Sequence, residues 1–243
     1  MVPRLYVPSL DPLDRNISLP EDEAGHLRRV LRVKSGANVR VFDGLGREFE
    51  ARVTAVDRAG IVVELGEPVV SAPEWSVRVT LAQAVLKGDK IDDVIRDAVM
   101  MGVACVQPML TARTDVPEAA FLRGRRVERW QRIAVSSAKQ CGRAVVPPVL
   151  PPCPLAACLG AGRVGHTLIL VEPAAAPRGK LSWPPADAPE AATLLVGPEG
   201  GWTEEEVAAS IEAGCLPVSL GPRTLRADAA AIVALSVLQY LWR

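Results

Sequence analysis

Two short stretches near the C-terminus carry residues in a pattern that chemistry can use. The first is Gly197-Pro198-Glu199-Gly200-Gly201-Trp202-Thr203-Glu204-Glu205-Glu206, preceded by the apolar run Leu194-Leu195-Val196. Three glycines strip side chains from the turn and leave backbone N–H and C=O groups open to a ligand. Thr203 with Glu206 reads as a capping box that starts a helix. Phosphate is the usual occupant of a strand-to-helix turn of this kind. Here Glu199 and Glu204 to Glu206 place four carboxylates in and just after the turn, so a ligand with cationic character suits it better. The second stretch is Ser219-Leu220-Gly221-Pro222-Arg223-Thr224-Leu225-Arg226-Ala227-Asp228. Again a strand ends at Gly-Pro and a helix follows, with two arginines in the compact loop. A guanidinium offers a rigid fork of donors that can stabilise charge spread over a planar substrate. The plain alternatives are a tight turn without a ligand and arginines that only face solvent.

Both stretches belong to a region patterned to hold such loops. In Val77, Val79, Leu81 and Val85 a strand begins, and Ile91, Val94, Ile95, Ala98 and Val99 recur at helical spacing. Further strands are predicted at 103–110, 167–171, 193–196 and 217–220, with helices at 123–140, 203–213 and 227–241. The helix over 123–140 turns Val127, Trp130, Ala134 and Ala138 to one face. The last helix is apolar nearly all round, which predicts burial in the core or in a subunit contact. This is an α/β pattern with a mostly parallel sheet. In such a sheet ligands bind beyond the carboxyl ends of the strands, where both stretches lie. The segment 145–165, rich in Pro, Ala and Gly, reads as an exposed connection.

The preceding residues have a different texture. Val39 and Val41, then Phe49, Ala51 and Val53, alternate with polar residues around Asp43-Gly44-Leu45-Gly46, a hairpin signature. With a third strand at 61–63 and one helix over 21–31, this part predicts a small barrel. Residues 67–73, with two prolines and no periodicity, read as a linker. The division expected is therefore 1–72 and 73–243.

Composition bounds the rest. The 243 residues carry 28 Lys and Arg against 28 Asp and Glu, with 49% hydrophobic and 4% aromatic residues, the balance of a globular protein. No apolar run approaches the roughly 20 residues that span a bilayer, and the N-terminus lacks a signal-peptide core. The odd set of cysteines, with no CxxC, suggests a reducing, cytoplasmic setting. Gly160 to Gly165 spell GxGxxG, but a helix precedes and a strand follows, the reverse of a dinucleotide site, so they predict a helix stop and loop. His26 and His166 lie far apart in the chain, and no metal is expected. Zero net charge conceals local imbalance: residues 121–145 hold seven cations and one anion, and 172–212 hold eight anions and two cations. Arg4, Arg28, Arg29 and Arg32 cluster near His26 in the N-terminal part.

The paired C-terminal stretches, GPEGGW-T-x-x-E and LGPRTLR, resemble the signature of the SPOUT methyltransferases. More narrowly they resemble the family that methylates N3 of a uridine in 16S ribosomal RNA. Pro3-Arg4-Leu5-Tyr6, the run from His26 to Arg32 and Val41-Phe42-Asp43-Gly44 are similar to that family's PUA-like domain. Lys87-Gly88-Asp89-Lys90 and the run from Ser136 to Arg143 also fit it. The resemblance implies a PUA-like barrel followed by a trefoil-knotted methyltransferase domain and a homodimer formed through that domain. It implies S-adenosylmethionine as cofactor and 16S ribosomal RNA or the small ribosomal subunit as partner, with no membrane. Carried over residue by residue, the cofactor loops are Leu170 and Glu172; Val196, Gly197, Glu199 and Gly200; and Leu220, Gly221, Leu225 and Arg226. Arg226 is implied to stabilise the uracil anion, Glu199 to orient cofactor or accept a proton, and Asp228 is a weaker candidate. Arg4, His26, Arg29, Arg32, Lys87, Lys139 and Arg143 are implied to meet RNA. Where the family pattern reads Leu-Arg-Thr-Glu-Thr-Ala, this chain has Leu225-Arg226-Ala227-Asp228-Ala229-Ala230, which leaves the carboxylate's role open. Ribose 2′-O methylation and a non-catalytic ribosome-assembly factor are the alternatives; a Rossmann oxidoreductase has little support.

Overall fold

The computed structural model describes residues 2–58, 60–115, 125–160, 165–173 and 186–243. They form two compact units, Met1–Glu74 with Val135–Val146 and Trp75–Ala134 with Pro147–Arg243. A cut after residue 72 therefore leaves out of the first unit a segment far along the chain.

The first unit is built on a five-stranded sheet. Strands β1 (Arg4–Tyr6), β2 (Asn16–Ser18), β3 (Asn38–Phe42), β4 (Glu48–Val56) and β5 (Ile61–Pro68) lie in the order β1-β3-β4-β5-β2. The β3/β4 hairpin pairs Val39 with Ala51 and Val41 with Phe49. Period-2 alternation thus puts Val39, Val41, Ala51 and Val53 into one core with Leu5, Leu27, Ile61 and Val63. Strands β1 and β2 were too short to show periodicity. Strand β5 runs to Pro68, so part of the expected linker is strand; β2 pairs with β5 only over 62–64, which leaves that side of the strand open at the proline. At the hairpin turn Gly44 has φ +79, and a Cβ there would lie 2.7 Å from the Tyr6 ring. Helix α1 (Glu21–His26) continues as a π-turn over Leu27–Leu31.

Helix α2 (Lys90–Met100) and the front of helix α3 (Arg126–Cys141) belong to the second unit, and α3 from Val135 onward belongs to the first. One buried arginine shows why that segment packs there. The Arg4 guanidinium makes two bonds of 2.8 Å to the Glu48 carboxylate and donates to the carbonyls of Ala138, Lys139 and Arg143. It satisfies carbonyls that a helix C-terminus otherwise leaves open. Lys139 is bonded to Glu23 at 2.7 Å, and Arg143, 5% exposed, pairs with Glu74.

The second unit is a six-stranded parallel sheet in the order β11-β9-β10-β6-β7-β8. Its strands are β6 (Arg78–Ala84), β7 (Cys105–Leu110), β8 (Cys153–Pro154), β9 (His166–Leu170), β10 (Ala191–Val196) and β11 (Leu216–Val218). Helices α4 (Leu155–Gly160), α5 (Glu204–Glu212) and α6 (Ala227–Leu241) complete it. Leu168, Ile169, Leu194 and Leu195 are buried without alternation, as strands covered on both faces require. Segment 145–165 is not simply an exposed connection: Val149 is buried and bridges to Val106, and β8 and α4 follow it. Of the GxGxxG stretch, residues 161–164 lie outside the described residues; helix α4 ends at Gly160 before it and β9 begins at His166 after it. Helix α6 is less enclosed than its composition suggests. Ala231, Leu235 and Leu238 are buried, but Val233 is 39% and Tyr240 66% exposed. Among the described residues no helix is long and apolar enough to cross a membrane, and no group of three His, Cys, Asp or Glu could hold a metal ion.

Arg4 and Glu48 are each nearly buried, so removing one partner strands a charge. Glu48→Ala should destabilise the first unit by about 3 kcal/mol or more, measured by urea unfolding. Burial alone would raise the Glu48 carboxyl, but bonds from Arg4 and Ser71 hold it below the usual range, and Arg47 with the Leu45 and Arg47 backbone does the same for buried Asp43. A lowered native value means stability that is present at neutral pH and lost in acid. Unfolding free energy should therefore fall as pH drops below about 5, and less steeply in Glu48→Gln. Equal acid sensitivity in that variant would contradict the assignment.

Candidate functional site

All strands of the second unit point the same way, so the loops after β6, β7, β9, β10 and β11 gather at one edge of its sheet. The loops after β9, β10 and β11 enclose a cavity of ≈ 410 Å³. From the first come Leu170 and Glu172; from the second, Val196, Gly197, Glu199 and Gly200; from the third, Leu220, Leu225, Arg226 and Asp228. Every cofactor residue expected from the sequence thus lines one cavity except Gly221, which follows Leu220 with φ +110 and is not among the lining residues.

The middle loop is bare for steric reasons. A Cβ on Gly201 (φ +70) would lie 2.5 Å from a Glu172 carboxylate oxygen, and one on Gly197 would lie 3.0 Å from the Trp202 ring. The Trp202 indole, 4% exposed, donates to the Leu170 carbonyl at 2.8 Å and ties the second loop to the first. The capping box is present: Thr203 Oγ1 accepts from the Glu206 N–H, and Glu206 accepts from the Thr203 N–H. The other Glu206 oxygen accepts from the Ala112 N–H at 2.7 Å. Of the four carboxylates counted in the sequence, only Glu199 faces the cavity; Glu172 and Asp228 join it there.

Charge in the cavity is arranged in pairs. Glu199 accepts from Lys90 Nζ at 2.8 Å and from the Lys87 N–H at 3.2 Å. Burial pushes its carboxyl up, but these bonds outweigh burial and hold it below the usual range. Asp228 accepts from Arg226 Nε at 3.1 Å, which with nearby Lys90 outweighs burial and lowers its carboxyl too. The Arg226 side chain remains 75% exposed. Glu172 has no cationic partner among the described residues.

Lys90, Arg113 and Trp202 hold the site together although no role for them is readable from the sequence. Arg113 Nη1 donates to the carbonyls of Gly200 at 2.8 Å and Trp202 at 3.1 Å and pins the turn from the β7 side. A cation a few residues beyond a predicted strand end was the available signal for both Lys90 and Arg113. The expected RNA residues divide. Lys87 pairs with Asp115 in the second unit. In the first unit Arg4, Lys139 and Arg143 are engaged by Glu48, Glu23 and Glu74, whereas His26, Arg29 and Arg32 are exposed.

Gly201→Ala forces a Cβ into a left-handed position already filled by Glu172. It should cost at least about 1 kcal/mol in thermal or urea unfolding and reshape the cavity. Wild-type stability would show instead that Glu172 yields freely.

Comparison with known proteins agrees with this architecture. Residues 73–239 match the RNA methyltransferase domain family, and residues 19–66 match the RNA methyltransferase PUA domain. A Synechocystis protein named ribosomal RNA small subunit methyltransferase E is 34% identical over 99% of this chain and 78% of its own length. A putative methyltransferase from Legionella pneumophila, solved with the bound cofactor SAM, superposes with a TM-score of 0.90 at 31% identity, covering 99% of this chain and 98% of that one. A ribosomal RNA small subunit methyltransferase E from Neisseria gonorrhoeae, bound to S-adenosyl methionine, gives 0.87 at 34% identity, covering 100% and 98%. The chain, with its loop-lined cavity at one edge of a parallel sheet, therefore belongs to the RNA methyltransferase family.

Proposed function

We propose that the chain methylates N3 of a uridine in 16S, small-subunit ribosomal RNA with S-adenosylmethionine as methyl donor. The observation that carries this reading is the one cavity assembled from three strand-end loops, with bare backbone on its walls and Arg226 beside them. Its volume falls within the range of roughly 300–1,000 Å³ usual for small-molecule sites. Leu170, Val196, Leu220 and Leu225 offer apolar surface, Glu172 offers a carboxylate that no described cation pairs, and Lys90 and Arg226 hold Glu199 and Asp228 beside it. That combination fits a nucleoside carrying a sulfonium and an ammonium group. When bound, S-adenosylmethionine supplies a reactive methyl group on a charged sulfur. Aligning that methyl group and excluding water is the main task of the loops.

The protein must also manage the nucleophile. Uridine N3 holds a proton, and its anion spreads charge onto the flanking carbonyl oxygens. Arg226 meets this charge with the part of its guanidinium that Asp228 does not use. Asp228 is one methylene shorter than glutamate, yet it reaches Arg226 at 3.1 Å. It therefore orients the arginine instead of serving as a base. Glu199, held ionised by Lys90, keeps the turn in place and is the cavity carboxylate that takes the N3 proton and passes it to solvent as the methyl group leaves the donor sulfur. Glu172 is the cavity carboxylate left for the cofactor's cationic groups.

The same reading carries further expectations. They are a trefoil knot in the second unit, a PUA-like barrel in the first, a cytoplasmic setting, and a homodimer. The exposed Val233 and Tyr240 on an otherwise apolar α6 support the dimer. In the first unit His26, Arg29 and Arg32 are the residues to meet RNA, because Arg4, Lys139 and Arg143 are already engaged by carboxylates.

Mass spectrometry of 16S RNA should show one N3-methyluridine after small subunits from cells lacking the gene are incubated with the protein and donor. A ribose-methylated product, or none, would overturn the assignment. Arg226→Ala should leave S-adenosylmethionine binding largely intact, by calorimetry, while turnover falls by about 10²-fold or more. Near-native turnover would refute Arg226's role. Because Glu199 and Asp228 are both lowered, they stay charged into mild acid. With their pairs to Lys90 and Arg226 holding the loops, donor affinity should stay level down to about pH 5 and decline only below it; a loss already near neutrality would show that these pairs do not govern binding.

A further inference from the structure

The segment after helix α1 breaks its own pattern. Glu23, Ala24 and Leu27 are buried on one face of the helix. In α-helical spacing Val30 and Leu31 would follow Leu27 onto that face. They do not: Leu27–Leu31 forms a π-turn, in which the Arg32 N–H reaches the Leu27 carbonyl. The wider turn moves the register, and Val30 is 65% and Leu31 44% exposed. Residues 28–32, Arg-Arg-Val-Leu-Arg, are exposed without a break. The π-turn ends at Arg32 with φ +49, the single non-glycine residue with positive φ among the described residues. Glycine would hold that position with less strain, so the backbone accepts a cost for having an arginine side chain there.

The surroundings identify the partner's chemistry. Residues 24–36 contain Arg28, Arg29, Arg32 and Lys34 and no acidic residue. Arg28 donates to the Asp57 carbonyl and Arg29 to the Gly25 carbonyl, whereas Arg32, next to the apolar pair, is exposed and has no hydrogen-bond partner among the described residues. An exposed apolar pair framed by cations matches a polyanion with apolar faces between its charges. We propose that Val30 and Leu31 form a platform for an unstacked base of single-stranded RNA, while Arg32 grips the adjoining phosphate. Duplex RNA buries its base faces and cannot use the platform, so this surface favours single strands. The proposal rests on the RNA methyltransferase reading and adds to it where, and in what form, RNA meets the first unit.

The test uses the full chain, a short fluorescein-labelled single-stranded RNA of mixed sequence, and the same strand annealed to its complement, with anisotropy read over a salt series. The double variant V30S/L31S should bind the single strand roughly three- to tenfold more weakly, with duplex binding and salt slope unchanged. R32G should weaken both and reduce the single-strand salt slope by about 0.7, while its thermal midpoint stays level or rises because strain is relieved. That rise separates lost contact from lost folding. Native single-strand affinity in both variants would overturn the proposal. So would unchanged RNA affinity in V30S/L31S accompanied by altered self-association in light scattering, which would make the pair a protein contact. If the native chain binds S-adenosylmethionine but neither RNA, the RNA reading itself fails, and this inference with it.

Discussion

A peptide group at the end of a parallel strand loses its ladder partner but keeps its hydrogen-bonding demand. The site of this protein is built on that constraint. Its three loops must show backbone to a ligand on one side and satisfy it on the other. Side chains behind the loops meet the second need. The Trp202 indole takes the Leu170 carbonyl, Arg113 takes the carbonyls of Gly200 and Trp202, and Glu206 takes N–H groups at Ala112 and Thr203. The glycines follow from the same crowding, since a Cβ at Gly201 would collide with Glu172 and one at Gly197 would press on Trp202. The open face of the cavity is thus the consequence of a closely packed back.

Charge is handled by the same economy. A cavity with three carboxylates would repel its own walls if all were unpaired. Lys90 balances Glu199 and Arg226 balances Asp228, and with Arg223 also on the wall the lining carries equal numbers of cations and carboxylates, so the local charge a cationic ligand can use is that of Glu172. The partners also fix geometry. Lys90 is the first residue of α2, so its bond to Glu199 anchors the glycine-rich turn to the loop after β6. Ionisation and position are set by one contact.

Much of this was legible in residue order because it depends on local pattern. Alternation at Val39, Val41, Ala51 and Val53 marks the hairpin, and Thr203 with Glu206 marks the helix start. The pairing of the glycine-rich turn with the Arg226 loop marks the cavity. The rest was hidden because it depends on who sits opposite whom. Strands β1 and β2, three residues each, are held by pairing with β3 and β5 and not by their own periodicity. Lys90 matters because the sheet order places β6 beside β10, and Arg113 because its side chain reaches the same turn from β7, one strand further on. The π-turn at Leu27–Leu31 departs from the α-helical stripe that its residues spell.

Charge counting along the chain shows the limit most clearly. Seven cations over 121–145 suggest a basic face, yet Lys139 and Arg143 answer Glu23 and Glu74 from distant parts of the sequence, and Arg129 answers Asp92. Arg4, counted in the N-terminal cluster, is consumed by Glu48 and a helix end. A buried cation stabilises only if a carboxylate and carbonyls surround it, and once surrounded it offers nothing to a polyanion. A count along the chain therefore has to be reduced by the cations that carboxylates and carbonyls already hold. In the first unit the exposed run that ends at Arg32, a residue with φ +49, has no carboxylate partner among the described residues.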